Sequence, residues 1–139
     1  YFVEHSTVDV LGVGDSLAVL LDGGEFVDSF PYVRAEEFQQ RPELFCTNAT
    51  LNTLFSAPDF FSRHHKTWCI TDKAAPLVLC MTDALGEWAL RRAEEGNSVW
   101  QMLAEIEAVS ELESLVLQER LTKGMRIDDT TLLRLSFQE

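Results

Sequence analysis

Three aspartates stand where hydrophobic runs of the sequence begin or end, and their chemistry suits a hard metal ion. Asp15 precedes the run SLAVLL, Asp83 follows the run LVLCMT, and Asp128 precedes the run TLLRLSF. Carboxylate oxygens from separate strand ends are ligands that Mg²⁺ and Mn²⁺ use, with water completing the octahedron. The three residues therefore predict a candidate metal site made of aspartates alone.

Each of these aspartates also has an ordinary structural interpretation. Asp83 stands where a helix begins and is suited to capping it. Asp15 is suited to an Asx turn, and Asp128 with its neighbour Asp129 to a turn at a strand entry. Adjacent like charges repel unless solvent, backbone amides or a cation takes up the charge. The residue types alone leave both interpretations open.

Other catalytic chemistries lack the spacing that they need. The three cysteines contain no C-x-x-C pair, which argues against a zinc site built on thiolates. His64 and His65 are adjacent, belong to no H-E-x-x-H motif, and are predicted to lie in a solvated loop. No serine stands in a G-x-S-x-G motif. The aspartates are therefore the best candidates for chemistry.

The composition bounds the class of protein. The chain has 139 residues, 46% of them hydrophobic, and 23 acidic residues against 11 basic ones give a net charge of −12. This charge argues against a nucleic-acid or anionic-membrane partner, and it permits divalent cations. The apolar runs are too short to span a bilayer. Three widely spaced cysteines and no recognisable signal peptide predict a cytoplasmic location.

The hydrophobic periodicity predicts the order of the elements. Residues 7–30 read as a three-stranded antiparallel meander with turns at GDS and DGG. Strands are also predicted at 66–71 and 77–82. Three helices follow over 83–124, the third with Ser110 and Glu113 in capping-box spacing. The chain ends in a strand that has Leu133, Leu135 and Phe137 on one face, and one side of this strand is expected to be core.

This order predicts a single domain of the α+β class, with antiparallel sheets flanked by helices. Residues 32–65 are predicted to form an irregular insert, with one short helix broken near Pro42. The chain opens on YFVEH without a methionine, so we expect it to be a piece of a longer protein.

Five short motifs resemble the metal-dependent serine/threonine protein phosphatases of type 2C, in particular a bacterial subgroup. They are VGDS (13–16), SFP (29–31), RP (41–42), TDALGEW (82–88) and DDTTLL (128–133). The resemblance implies a β-sandwich flanked by helices, of which residues 1–139 are the C-terminal half. It implies that Asp83 and Asp128 ligate one catalytic Mn²⁺ or Mg²⁺, and that Asp15 helps to hold a third, weaker metal. Asp129 would point away from the metal.

The resemblance further implies hydrolysis of phosphoserine and phosphothreonine by a metal-activated water, without a covalent enzyme intermediate. A phosphoprotein is the implied substrate, and a serine/threonine kinase is a possible partner. The family's aspartate–glycine pair that bridges two metals is absent from this chain, so we expect the isolated chain to be inactive. Ala84 replaces the glycine that is usual after the motif aspartate, and residues 32–65 do not match the family's flap.

Two other functions remain open at this point. The chain is also suited to a catalytically inactive, phosphatase-like module that regulates a kinase or binds phosphoproteins, or to an unrelated acidic interaction module. Two geometric expectations bear on the metal site. The carboxylate oxygens of Asp83 and Asp128 should lie within about 6 Å of each other. VGDS should form the turn between two paired strands and leave Asp15 on the same edge as Asp83.

Overall fold

The computed structural model describes residues 6–137, and within them two antiparallel sheets combine with several helices. The predicted α+β class is therefore confirmed. The strands are β1 (Thr7–Leu11), β2 (Leu17–Asp22), β3 (Glu25–Phe30), β4 (His65–Cys69), β5 (Pro76–Met81) and β6 (Leu132–Ser136).

The larger sheet has four strands in the order β3-β2-β5-β6, all antiparallel to their neighbours. Its register pairs Leu17 with Met81, Ala18 with Phe30, and Met81 with Leu132. The start of β2, the end of β3, the end of β5 and the start of β6 consequently lie together. We call this the aspartate end of the sheet, because Asp15, Asp83 and Asp128 flank these strand ends.

The predicted meander is wrong at its first strand. β1 pairs with β4 in a separate two-stranded sheet, with Thr7 opposite Cys69 and Leu11 opposite His65. β2 already has a hydrogen-bonded neighbour on each side, β3 and β5, so no edge of it is open to β1. VGDS therefore connects two sheets instead of turning between paired strands.

The three helices predicted over 83–124 are formed in order, as α2 (Asp83–Glu94), α3 (Val99–Glu105) and α4 (Val109–Leu121). A further short helix, α1 (Phe60–His64), lies in the segment 32–65 and was not predicted. The predicted capping box of the last helix is wrong, because the Glu111 carboxylate, and not Glu113, accepts the amide N–H groups of Glu107 and Ala108. Among residues 6–137, no helix has the length and apolar character needed to cross a bilayer.

The two faces of the larger sheet are covered differently. Leu17, Val19, Leu21, Leu79 and Met81 point to the helices and form the main core with residues such as Trp88 and Leu103. The opposite face carries Ala18, Leu20 and Val78, which pack against Trp68 of the smaller sheet. The smaller sheet has two strands, and within residues 6–137 it does not cover the corresponding face of β6.

The apolar row of the last strand, Leu133, Leu135 and Phe137, does not lie in the core. Leu133, Leu135 and Phe137 share one face as predicted, but they are 52%, 42% and 38% exposed. The partly buried Leu132 packs against the main core on the helix side. The row of Leu133, Leu135 and Phe137 is therefore exposed to solvent, because no other element of residues 6–137 covers it.

Residues 32–65 contain short turns of helix. Three are 3₁₀ turns, at Ala35–Gln39, Ala49–Leu51 and Thr53–Ser56, and the helix predicted before Pro42 is the first of them. Phe45, Phe55, Phe60 and His64 form a chain of ring contacts with centroid separations of 4.5, 4.9 and 4.7 Å. These rings connect the later part of the segment to itself, whereas Ala35 and Phe38 in its first part pack against the main core.

Candidate functional site

Hydrogen bonds at the aspartate end hold two separate segments of the chain together. The Thr82 amide donates to the Thr131 carbonyl oxygen at 3.3 Å, and the Thr131 amide donates to the Thr82 hydroxyl oxygen at 3.0 Å. The same hydroxyl donates to the Asp129 carbonyl oxygen at 3.0 Å. These bonds fix the backbone next to Asp83 against the loop that carries Asp128, so Thr82 organises this end of the sheet.

Asp83 is the first residue of α2 and its side chain is 20% exposed. One carboxylate oxygen, Oδ1, accepts the Ala84 amide N–H at 2.8 Å. The other, Oδ2, is paired with the guanidinium of Arg126. The carboxylate thus contacts the helix start, as the structural interpretation predicted, and it faces a cation from the chain itself.

Asp128 and Asp129 lie in an exposed loop before β6. Asp128 accepts the Asp129 amide N–H through Oδ1 at 2.8 Å, as an aspartate in a turn does. Its carbonyl oxygen accepts hydrogen bonds from Arg120 and from the Thr130 hydroxyl. The Asp129 amide therefore takes up part of the charge of the Asp128 carboxylate, and both carboxylates are exposed to solvent.

Asp15 lies half-buried in the connection between the two sheets, two residues before β2. Gly14, just before it, has a φ of 110°, which a residue with a Cβ rarely adopts. Asp15 therefore stands at the same end of the sheet as Asp83, as predicted, although the predicted hairpin around it is not formed.

Tyr32 is a member of this end that the sequence did not indicate. Its backbone carbonyl accepts the buried Ser29 hydroxyl at 2.6 Å, and its ring contacts the ring of Phe38 at 4.5 Å. Burial raises the pKa of its phenol. The negative charges of Asp15, Glu37 and Asp83 raise that pKa further, so the phenol lies within the field of two of the predicted ligands.

The donor set fits a hard cation in its chemistry, but its side chains are not grouped around one point. Carboxylate oxygens from three segments suit Mg²⁺ or Mn²⁺. The set is incomplete, however, because no three aspartate, glutamate, histidine or cysteine side chains of residues 6–137 are grouped closely enough to hold an ion. These residues would hold such an ion through one or two carboxylates, and Arg126 competes for Asp83.

The histidines differ from their predicted place in a solvated loop. His64 ends α1 and its side chain is only 12% exposed; its ring nitrogens contact the Gly12 carbonyl oxygen at 2.9 Å and the Glu43 carboxylate at 2.7 Å. His65 begins β4 and contacts the Asp9 carboxylate at 3.0 Å. Both rings tie segments together, and their carboxylate partners are not the predicted metal ligands.

Comparisons with protein-family models, with curated proteins and with solved structures found no match to this chain. The resemblance to type 2C phosphatases consequently rests on the five short motifs. The family membership of the chain stays a prediction.

Proposed function

We propose that this chain is part of a bacterial metal-dependent serine/threonine protein phosphatase domain of the type 2C kind, and that it supplies metal ligands. One observation carries the proposal. Asp15, Asp83 and Asp128 come from three separate segments and flank strand ends at the same end of one sheet. Hard-cation sites need carboxylates arranged in this way.

In this proposal Asp83 and Asp128 hold one Mn²⁺ or Mg²⁺, and Asp15 contributes to a weaker ion. A bound metal would offset charge on the phosphoryl oxygens and lower the pKa of a water. Thr82 keeps the two ligand segments in register through its bonds to Asp129 and Thr131. The substrate would be a phosphoserine or phosphothreonine protein in the cytoplasm, opposed by a serine/threonine kinase.

The incomplete donor set predicts that residues 1–139 do not catalyse hydrolysis alone. An ion held by one or two carboxylates keeps most of its water and binds weakly. We therefore expect no hydrolysis of p-nitrophenyl phosphate by the isolated chain with about 5–10 mM Mn²⁺ present, and manganese-dependent hydrolysis by a protein that joins this chain to the family's aspartate–glycine pair. Turnover by the isolated chain would show that the bridging ligand is not needed. An inactive protein that contains both parts would contradict the enzymatic function.

A second function is favoured by the Asp83–Arg126 ion pair. An arginine that occupies the predicted metal ligand suits a catalytically inactive, phosphatase-like module that binds phosphoproteins. The two functions differ in one measurement. A phosphatase that includes this chain hydrolyses a phosphoserine peptide when Mn²⁺ is added, whereas the inactive module binds the peptide unchanged in the presence of EDTA.

A further inference from the structure

A second site lies next to the aspartate end and has the opposite charge. It is a cavity of about 300 Å³ between one face of α2 and the connection from α4 to β6. Four of the chain's 11 lysine and arginine side chains line it: Arg91, Arg120, Lys123 and Arg126. Glu87 is the acidic residue among its lining residues. Such a concentration of positive charge in a chain of net charge −12 points to an anionic ligand.

Two of the four cations are already balanced by carboxylates. Arg91 lies 3.6 Å from the Glu87 carboxylate, and Arg126 is paired with Asp83 and lies 3.8 Å from Glu87. Glu119 also lies close to the connection, where its Oε2 accepts the Trp88 indole N–H at 2.9 Å, but it is not one of the lining residues. Among the lining cations, the other two have no carboxylate partner in residues 6–137.

Arg120 and Lys123 form no ion pair with a residue of the described range 6–137. Arg120 donates only to neutral oxygens, namely the Asp128 carbonyl and the Thr130 hydroxyl, the latter at 2.9 Å. Its Nε is buried and has no hydrogen-bond partner in that range. Lys123 is exposed and lines the same cavity. Two cations without a carboxylate partner at one cavity suit the oxygens of a phosphate group, although Arg120 also lines the neighbouring cavity with Asp128 and Asp129.

The backbone of Lys123 strengthens this argument. Its φ is 58°, in the left-handed region, where it follows the last turn of α4. The Lys123 amide donates to the Arg120 carbonyl oxygen at 3.0 Å, and the Gly124 amide donates to the Glu119 carbonyl oxygen at 2.7 Å. Glycine or asparagine is favoured at such a helix end, and a lysine there is strained. In this left-handed conformation Lys123 lines the cavity, so a lysine stands there although glycine would fit the backbone better.

We propose that this cavity binds a dianionic phosphate group, carried as a phosphomonoester on a protein segment or as free inorganic phosphate. Arg120 and Lys123 balance its charge, and the remaining N–H groups of Arg91 and Arg126 donate to its oxygens. Long polyanions are not expected there, because the acidic surface around the cavity repels them. The binding needs no metal and does not depend on the proposed phosphatase function.

The test uses the 139-residue chain in EDTA, so that no cation at the aspartate end recruits the anion. Inorganic phosphate, a phosphoserine peptide with neutral flanks and its unphosphorylated form are titrated, with chemical-shift changes as the readout. We expect phosphate and the phosphopeptide to shift amides around residues 120–126, and chloride at equal ionic strength to leave them unchanged. Lys123→Gly removes one charge and relieves the left-handed strain, so it should fold and weaken binding about fivefold.

A matched control separates this site from general surface charge. Arg41→Gln removes an exposed cation of the segment 32–65, outside the cavity, and should leave phosphate binding unchanged. Lys123→Gln removes the charge but keeps a polar side chain at the left-handed position, and it should weaken binding as Lys123→Gly does. The proposal is overturned if phosphate behaves like chloride, if Lys123→Gly binds as tightly as the natural chain, or if Arg41→Gln loses as much affinity. A phosphopeptide that binds no better than its unphosphorylated form, while inorganic phosphate binds, assigns the site to free phosphate.

Discussion

The aspartate end and the cationic cavity are neighbours with opposite charges, and the Asp83–Arg126 ion pair joins them. The aspartates come from three segments that the register of one sheet brings together. The cations come from α2 (Arg91), from the end of α4 (Arg120) and from the connection that follows it (Lys123 and Arg126). Although the net charge of the chain is strongly negative, four of its 11 lysine and arginine side chains line one cavity, and its candidate metal ligands flank one end of the sheet. One change can therefore affect the two regions in opposite directions.

The largest expected effect concerns the two principal aspartates. In a protein that joins this chain to the family's aspartate–glycine pair, Asp83→Asn or Asp128→Asn should lower the proposed manganese-dependent phosphatase activity by about 100-fold or more, because each removes a proposed charged metal ligand. Asp129→Asn is the matched control, since Asp129 is the adjacent carboxylate that is predicted to point away from the metal. Equal losses for Asp128→Asn and Asp129→Asn would mean that general charge, and not ligation, supports the activity.

The second prediction concerns the Asp83–Arg126 ion pair that joins the two regions. Arg126→Ala removes the cation that occupies Asp83, so the affinity of the aspartate end for Mn²⁺ should increase by about fivefold or less, as expected for an exposed ion pair. Phosphate affinity at the cavity should fall, because a donor is lost. Isothermal titration of the 139-residue chain with each ligand checks both directions. Changes of the same sign for both ligands would contradict the proposed link.

The third prediction concerns stability at the cavity. Lys123→Gly should stabilise the chain by about 1 kcal/mol, because glycine adopts the positive φ of this position without strain. Urea unfolding followed by tryptophan fluorescence measures the change. Lys123→Ala serves as the control, since alanine removes the same charge and keeps the strain. A gain in stability shared by Lys123→Ala would mean that relief of charge repulsion is the cause.

The smallest expected effect is a shift in the titration of Tyr32. Burial and three carboxylates raise the pKa of its phenol, so this residue contributes stability that is present below the ordinary tyrosine pKa and is lost as the pH rises through the raised one. A cation at Asp15 and Asp83 offsets part of the negative field and should lower the pKa by a few tenths of a unit.

Ultraviolet titration at about pH 9 to 12, with and without Ca²⁺ as a hard cation, measures this pKa. The spectrum of Tyr32→Phe supplies the background from Tyr1, the other tyrosine of the sequence. If the pKa of Tyr32 is the same with and without Ca²⁺, no cation binds near the phenol.

The sequence predicted the fold where local pattern determines it. Helical periodicity placed α2 directly after the buried strand β5, and two-residue alternation placed β6 near the end of the chain. The pairing of β1 with β4 was not predictable, because alternation in β1 does not encode a partner more than 50 residues away. A tight-turn sequence such as GDS favours a hairpin only if the next strand has a free edge.

The candidate site was predictable in part for the same reason. Asp15, Asp83 and Asp128 were recognised because each adjoins a hydrophobic run. Tyr32 was missed, since its place near Asp15 and Asp83 depends on the pairing of Ala18 with Phe30. The cavity was missed as well, because Arg91 and Lys123 lie on different elements and only packing brings their side chains to one wall.

Paramagnetic mapping of Mn²⁺ on the 139-residue chain by NMR tests directly whether the aspartate end binds a metal ion. Substoichiometric Mn²⁺ broadens the amide signals that lie nearest to the bound ion. The proposal predicts that broadening is strongest at Asp15, at Thr82 and Asp83, and at Asp128, and that Asp83→Asn with Asp128→Asn abolishes it. Broadening centred on other members of the chain's 23 acidic residues, or unchanged in the double variant, would contradict a metal site at the aspartate end.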